Sequence, residues 1–168
     1  MLRRRPWEAA GGTAAGYDHR MAVNAALAGT SYPPTAPYLV GREKVREFAA
    51  AVGSRDPLNV DVDAARAAGY DDLVAPPTFA VVMQERTMAQ LLSDAAAGID
   101  FSRVVHGDQR FTYTRPIVAG DELVAELTVT SVKSLGGHSM VTADSVVRDQ
   151  RGEHVVTTSS TIVVRGDA

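Results

Sequence analysis

Two periodicities of hydrophobic residues divide the chain near residue 103. Within residues 41–52, apolar side chains recur at i, i+3, i+4 and i+7, which predicts an amphipathic helix with one buried face. A short helix is predicted over residues 64–68 and a longer one over residues 78–96, because a glycine follows each segment. The longer helix opens with residues 79–83, which are apolar on every side, so we expect it to begin in the interior.

From residue 103 onward the hydrophobic period changes to two. Segments rich in valine and threonine alternate apolar and polar positions, which predicts β-strands. The predicted strands are residues 110–114, 122–132, 139–148 and 153–164. Two of the separating segments, residues 135–137 and 149–152, have the length and composition of hairpin turns. Helices followed by an antiparallel meander predict an α+β fold, and the buried helix predicts that the sheet wraps around it.

Composition narrows the classes of function. The 168 residues are 45% hydrophobic and 22% charged, which is typical of one globular domain. The formal net charge of −3 disfavours a nucleic-acid-binding protein, and the absence of cysteine excludes disulfides and thiolate nucleophiles. No apolar stretch approaches the roughly 20 residues that span a bilayer, and no signal peptide is recognisable. We therefore expect a cytoplasmic protein that binds neither membranes nor nucleic acids.

The first 20 residues differ from the remainder in charge. They contain four arginines and two acidic residues, a net charge of +2, which leaves −5 for the other 148 residues. The segment lacks the apolar run of a signal peptide. We expect residues 1–20 to be a poorly ordered N-terminal extension and residues 21–168 to be the domain. An RNA-binding arm is the alternative for the extension.

Several short motifs carry a resemblance to a known family. The first group comprises residues 52–59 (VGSRDPLN), 73–79 (LVAPPTF) and 111–123 (FTYTRPIVAGDEL). These segments resemble the MaoC-type hot-dog hydratases and dehydratases. The second group comprises residues 32–38 (YPPTAPY), 40–44 (VGREK), 75–80 (APPTFA) and 105–111 (VHGDQRF). It resembles the non-catalytic A subunits of the actinobacterial heterodimeric (3R)-hydroxyacyl-ACP dehydratases of fatty-acid elongation.

The resemblance implies a fold and a set of catalytic positions. In the hot-dog fold, a long curved antiparallel sheet wraps around a central helix. Active members of the family carry Asp and His in a Gly-Asp-x-Asn-Pro-[Ile/Leu]-His segment. They also use a glycine N–H at the start of the central helix as the oxyanion donor. In this chain the Asp position is Ser54, the His position is Asn59, and the glycine position is Pro77.

Each of the three replacements removes one chemical role. Dehydration of a 3-hydroxyacyl thioester needs a group that moves protons at the α-carbon and the β-hydroxyl, and a donor to the thioester oxygen. Ser54 is a poor base without an activating neighbour, Asn59 transfers no proton near neutral pH, and Pro77 has no N–H. We therefore expect these positions to be degenerate, with no catalytic residue in this chain, and the chain to be inactive alone.

The resemblance also implies where an acyl chain binds. Acyl chains in such proteins run along the central helix, and the sheets of two subunits pair edge to edge. The predicted substrate-binding residues are Pro76, Pro77, Thr78, Phe79, Val82, Met83 and Phe111, with Met88, Leu91 and Tyr113 as further candidates. The alternative is that these side chains fill the core. Candidate contacts for the carrier are Arg42, Arg46, Arg103, Arg110 and Arg115, with solvated surface charge as their alternative.

These observations lead to one main hypothesis and two alternatives. We expect a substrate-binding subunit of a (3R)-hydroxyacyl-thioester dehydratase, acting on ACP or CoA thioesters with a catalytic hot-dog partner. A stand-alone acyl-CoA-binding homodimer is the first alternative, and a thioesterase that uses Glu85 is the second. Asp56 is a candidate replacement acid, although a turn or capping role before Pro57 is favoured. No pair of histidines has metal-ligand spacing, so we expect no metal and no cofactor.

Overall fold

The computed structural model describes residues 23–166, so the predicted extension over residues 1–20 lies outside the described residues. Within the described range there are three α-helices, α1 (Arg42–Ala51), α2 (Val62–Ala67) and α3 (Val81–Ser93). Five β-strands accompany them: β1 (Tyr38–Leu39), β2 (Val104–Tyr113), β3 (Glu122–Leu135), β4 (His138–Arg148) and β5 (His154–Val164). Short 3-10 turns occupy Ala25–Leu27, Pro57–Asn59, Ala95–Ala97 and Phe101–Arg103. None of the described helices is long and apolar enough to cross a membrane.

The strands form one antiparallel sheet in the order β1-β3-β4-β5-β2. The consecutive strands β3, β4 and β5 make the predicted meander, and β2 returns to pair with β5 at one edge. Helix α3 packs against β3 and β4, so the curled sheet covers the helix on its inner face. The predicted α+β hot-dog fold, with a long curved sheet around a central helix, is confirmed.

The core lies between α3 and the inner face of the sheet. Period-two burial is clearest on β3, where four alternate side chains are fully buried: Leu123, Ala125, Leu127 and Val129. The N-terminal part of α3 lies in one hydrophobic cluster with Phe79 and Met83, both 0% exposed. Its C-terminal part lies in a second cluster with Leu91. Burying each large apolar side chain of this kind stabilises the fold by about 1.5–3 kcal/mol, so the helix is fixed along its length.

Several predicted boundaries are corrected: α3 ends at Ser93 rather than residue 96, and β3 continues to Leu135 rather than ending at residue 132. Helix α3 begins at Val81 rather than residue 78, because Pro76 starts a turn in which the N–H of Phe79 donates to the Pro76 carbonyl. Strand β2 spans ten residues rather than residues 110–114. The first half of β2 was not predicted because it lacks a regular alternation of apolar and polar residues. The strand lies at the sheet edge, and a bulge between His106 and Asp108 interrupts its period.

Candidate functional site

The loop after α1 carries two of the three degenerate positions. Gly53 leaves the helix with φ of +69°, a conformation that suits glycine. Asp56 then accepts a hydrogen bond from the N–H of Leu58 at 2.9 Å and caps the 3-10 turn, so its capping role is confirmed. This geometry brings Ser54 beside Asn59, and the Ser54 hydroxyl donates to Asn59 Oδ1 at 2.6 Å.

Asn59 is held by polar contacts on both sides of its amide. The side chain is 4% exposed, and its Nδ2 donates to the carbonyl of Val74 at 2.7 Å. The amide oxygen accepts from Ser54, so the hydroxyl proton of Ser54 points at a group that is not a base. The pair therefore links the loop to the segment before α3, and it offers a ligand neither a general base nor a general acid.

The third degenerate position lies at the start of the central helix. Pro77 provides no N–H, and its carbonyl accepts a hydrogen bond from the Tyr113 hydroxyl at 2.9 Å. Burial raises the pKa of Tyr113 to about 12, and a hydrogen bond from the Ala80 N–H opposes this rise. The Tyr113 hydroxyl is therefore bonded to the backbone carbonyl of the residue at which the family resemblance implies an oxyanion donor.

The three degenerate positions meet in one pocket of about 370 Å³. Its walls are mostly apolar and come from the loop after α1, the segment before α3, and the end of β2. The lining residues are Ser54, Asp56, Asn59, Val74, Ala75, Pro77, Tyr113, Thr114, Arg115, Pro116 and Ile117. This volume is near the lower end of the roughly 300–1,000 Å³ typical of small-molecule sites. The pocket is therefore suited to a small, largely apolar group.

The predicted substrate-binding residues are distributed between the pocket and the core. Pro77 lines the pocket, Pro76 is buried behind it, and Thr78 is exposed at the surface. Phe79 and Met83 are fully buried, whereas Val82 and Phe111 are partly buried and pack against the same core cluster. Of the further candidates, Tyr113 lines the pocket, and Met88 and Leu91 lie in the second cluster. Substrate binding by these residues stays a prediction.

One wall of the pocket comes from residues that were not predicted to line it. Residues 114–117 follow β2 within the 111–123 motif, and of these only Arg115 is a predicted candidate, for contact with the carrier. Thr114 Oγ1 lies 2.5 Å from His154 Nδ1, and His154 Nε2 lies 2.8 Å from Thr157 Oγ1. His154 itself is not among the lining residues, so Thr114 separates this imidazole from a ligand in the pocket.

Most of the arginines proposed for carrier contact have protein partners. Arg115 donates to Asp121 at 2.8 and 2.9 Å and to Asp149 at 3.0 Å. Arg42 binds Asp72 through both its Nε and an Nη. The other three candidates are Arg46, which binds Glu43 and the Val60 carbonyl, Arg103, which is half-buried, and Arg110, which is exposed. Arg115 therefore links the loops that carry Asp121 and Asp149 beside the pocket.

Other proposed chemistry finds less support in the geometry. Glu85 is exposed on α3 and is not among the residues that line the pocket, so the carboxylate of the thioesterase alternative is misplaced. Across residues 23–166, no group of three or more His, Asp or Glu side chains is arranged to hold a metal ion.

Comparison with known proteins decides the family. A family model described as "FAS1-like, dehydratase domain region" matches residues 26–158. The chain belongs to this dehydratase family. A UPF0336 protein of Leifsonia xyli subsp. xyli is 70% identical over 145 residues, which cover 86% of this chain and 97% of the relative. A UPF0336 protein of Streptomyces avermitilis is 50% identical over 145 residues, with the same coverage of 86% and 97%.

Solved structures agree with the family match. The C-terminally truncated HadBC (3R)-hydroxyacyl-ACP dehydratase complex of Mycobacterium tuberculosis is similar with a TM-score of 0.74 at 33% identity, covering 82% of this chain and 96% of that one. A MaoC-like dehydratase is similar with a TM-score of 0.78 at 35% identity, covering 84% of this chain and 43% of that one. The resemblance to MaoC-like hot-dog dehydratases is confirmed.

Proposed function

We propose that this chain is the non-catalytic, substrate-binding subunit of a (3R)-hydroxyacyl-thioester dehydratase. The observation that carries the proposal is the meeting of Ser54, Asn59 and Pro77 in one pocket. The dehydratase family of the chain supports a role in hydroxyacyl dehydration. The side chains that line the pocket support a role in binding rather than in proton transfer.

The rate enhancements that the missing groups would supply are large enough to decide between binding and catalysis. A positioned general acid or base contributes about 10²–10⁴-fold to such a reaction. An oxyanion donor contributes about 10²–10³-fold. Ser54 donates its proton to an amide oxygen, and the helix start presents a proline carbonyl already bound to a tyrosine. Asp56, the carboxylate among the lining residues, accepts from the Leu58 N–H as the cap of the 3-10 turn, and the Arg115 guanidinium is bound to Asp121 and Asp149. We therefore expect neither contribution from this pocket and no measurable turnover by the chain alone.

A catalytic partner would supply the missing groups, and the edge of the sheet offers it a place to bind. Within the described residues, β2 pairs with β5 on one side and leaves its other side to the surface. A ten-residue edge strand is a template for pairing with another strand. Val105 on this strand and Phe101 just before it are 43% and 69% exposed. The HadBC dehydratase that this chain resembles is itself a complex, so we propose a hot-dog subunit that retains Asp and His as the partner.

The setting proposed for this subunit follows the same resemblance. The ligand would be an acyl thioester of ACP or CoA in fatty-acid elongation, in the cytoplasm. A homodimer that binds acyl-CoA without turnover is the second candidate, because the same edge strand is available to a second copy of the chain. The two candidates differ in one respect: only the heterodimer gains hydratase activity through a different subunit.

Co-expression with a MaoC-like partner tests the proposal. The full chain, the partner alone and the co-purified complex are assayed for hydration of crotonyl-CoA at equal concentrations. We expect no turnover by the chain alone and a complex that exceeds the partner alone at least tenfold. Turnover by the isolated chain would contradict the non-catalytic role. A complex no faster than the partner, together with acyl-CoA binding by the chain, would favour the homodimer.

A further inference from the structure

Three alternate side chains of β2 close the contact between that strand and the central helix. Gln109, Phe111 and Tyr113 share the inward face of β2 and are all partly buried. Pro77 and Gln84 stand opposite them on the helix side. We call this line of five residues the β2–α3 seam. It begins at the pocket, because Tyr113 and Pro77 also line the pocket wall.

Tyr113 forms the first contact of the seam. Its ring packs against the core cluster, and its hydroxyl donates to the Pro77 carbonyl at 2.9 Å. The seam is therefore held at the turn before the helix by a hydrogen bond as well as by packing. A ligand that extends past the pocket along the helix would have to displace this side chain.

The far end of the seam is closed by a reciprocal pair of amides. Gln84 Nε2 donates to Gln109 Oε1 at 2.8 Å, and Gln109 Nε2 donates to Gln84 Oε1 at 2.6 Å. Gln84 is 6% exposed, so separating the pair would leave buried polar atoms without partners. Phe111 packs between these two closures against the core. An alkyl chain threaded through the seam would break both contacts and offer no hydrogen bond in return.

We infer that Tyr113 is a specificity-determining residue, which ends the pocket at the start of α3 and restricts the ligand to short acyl groups. This inference rests on the proposed acyl-thioester function and adds the class of substrate. It also separates the predicted binding residues: Pro77 meets the ligand, whereas Phe79, Val82 and Met83 lie behind the closed seam.

Affinity as a function of acyl length distinguishes a closed seam from an open one. Burial of one methylene raises affinity about fourfold. If an acyl chain entered the seam, dodecanoyl-CoA would bind several orders of magnitude more tightly than butyryl-CoA. A closed seam leaves the added methylenes outside the pocket, so we expect the two affinities to agree within about threefold.

The experiment measures binding of butyryl-CoA, octanoyl-CoA and dodecanoyl-CoA to the full chain and to its complex with the partner by calorimetry. Tyr113→Ala opens the seam, and Tyr113→Leu opens it partly while keeping an apolar side chain. Thr112→Ala is the matched control, because Thr112 is the exposed neighbour on the same strand. Retained binding of butyryl-CoA shows that a variant is folded.

We expect Tyr113→Ala to raise the affinity for dodecanoyl-CoA relative to butyryl-CoA at least tenfold, Tyr113→Leu less, and Thr112→Ala not at all. A wild-type chain that already prefers dodecanoyl-CoA more than tenfold would overturn the inference and leave the proposed function standing. Unchanged affinity ratios in both Tyr113 variants would overturn it as well. If no acyl-CoA binds to the chain or changes its complex, the proposed function fails and the inference fails with it.

Discussion

Replacing Asn59 with alanine separates a structural role at this position from a catalytic one. The family resemblance puts a catalytic histidine here, whereas this chain buries an amide that is 4% exposed. The amide donates to the Val74 carbonyl at 2.7 Å and accepts from Ser54 at 2.6 Å. Alanine removes both hydrogen bonds and leaves the carbonyl of Val74 without this donor.

The expected magnitude follows from these two contacts. Each hydrogen bond contributes about 0.5–1.5 kcal/mol, and an unsatisfied buried acceptor adds about 1–3 kcal/mol. We expect Asn59→Ala to lower the free energy of unfolding by about 2–4 kcal/mol. For a domain of this size that corresponds to a fall in Tm of roughly 6–12 °C. Ser54→Ala loses only one of the bonds, so we expect about 1 kcal/mol or less.

Thermal and urea unfolding measure the loss of stability in both variants. Hydration of crotonyl-CoA by the complex, assayed well below either Tm, measures the effect on the chemistry. We expect a kcat within about twofold of wild type for both variants, because neither residue supplies a proton-transfer group to the chemical step; an effect on KM is compatible with their place in the pocket wall. An Asn59→Ala variant with unchanged stability but a tenfold loss of kcat in the assembled complex would refute this reasoning.

Three further predictions address the site, the edge strand and the surface. Ser54→Asp combined with Asn59→His should leave the isolated chain without hydratase activity, while adding Pro77→Gly should produce measurable turnover, because the oxyanion donor then returns. Gly107→Ala should lower the Tm and weaken assembly with the partner, both measurable by scanning fluorimetry and gel filtration. Its new Cβ would lie 3.2 Å from a β5 carbonyl oxygen. A hydrogen bond from Arg42 is the main cause that lowers the pKa of Asp72. The Arg42–Asp72 pair therefore stabilises the fold fully above the ordinary Asp pKa of about 3.9, and this stabilisation is lost as the pH falls. Asp72→Asn should accordingly reduce the slope of the free energy of unfolding against pH on the acid side, measured by urea unfolding.

The fold was predictable where one physical signal dominated. The meander of β3 to β5 follows from strict alternation and glycine-rich turns. Strand β2 was underestimated because an edge strand buries few side chains, and the bulge at Gly107 interrupts its period. Helix α3 begins at Val81 instead of residue 78, because the two prolines before it favour a turn.

The site was predictable only as far as the motifs reached. The resemblance pointed to Ser54, Asn59 and Pro77, and the structure brings these positions into one pocket. The wall formed by residues 114–117 depends on how β2 pairs with β5, which no local pattern reveals. Apolar residues of α3 that face the core and those that face a ligand have the same periodicity, so sequence alone did not separate Phe79 from Pro77.

The most direct test of the non-catalytic role uses a complex in which only the partner has been disabled. The partner's Asp and His are replaced by Asn and Gln, this chain is left unchanged, and hydration of crotonyl-CoA is measured after assembly is verified by gel filtration. We predict that activity falls to the background of the buffer, because Ser54, Asn59 and Pro77 supply neither a proton-transfer group nor an oxyanion donor. Residual turnover that disappears on mutation of this chain would contradict the proposal.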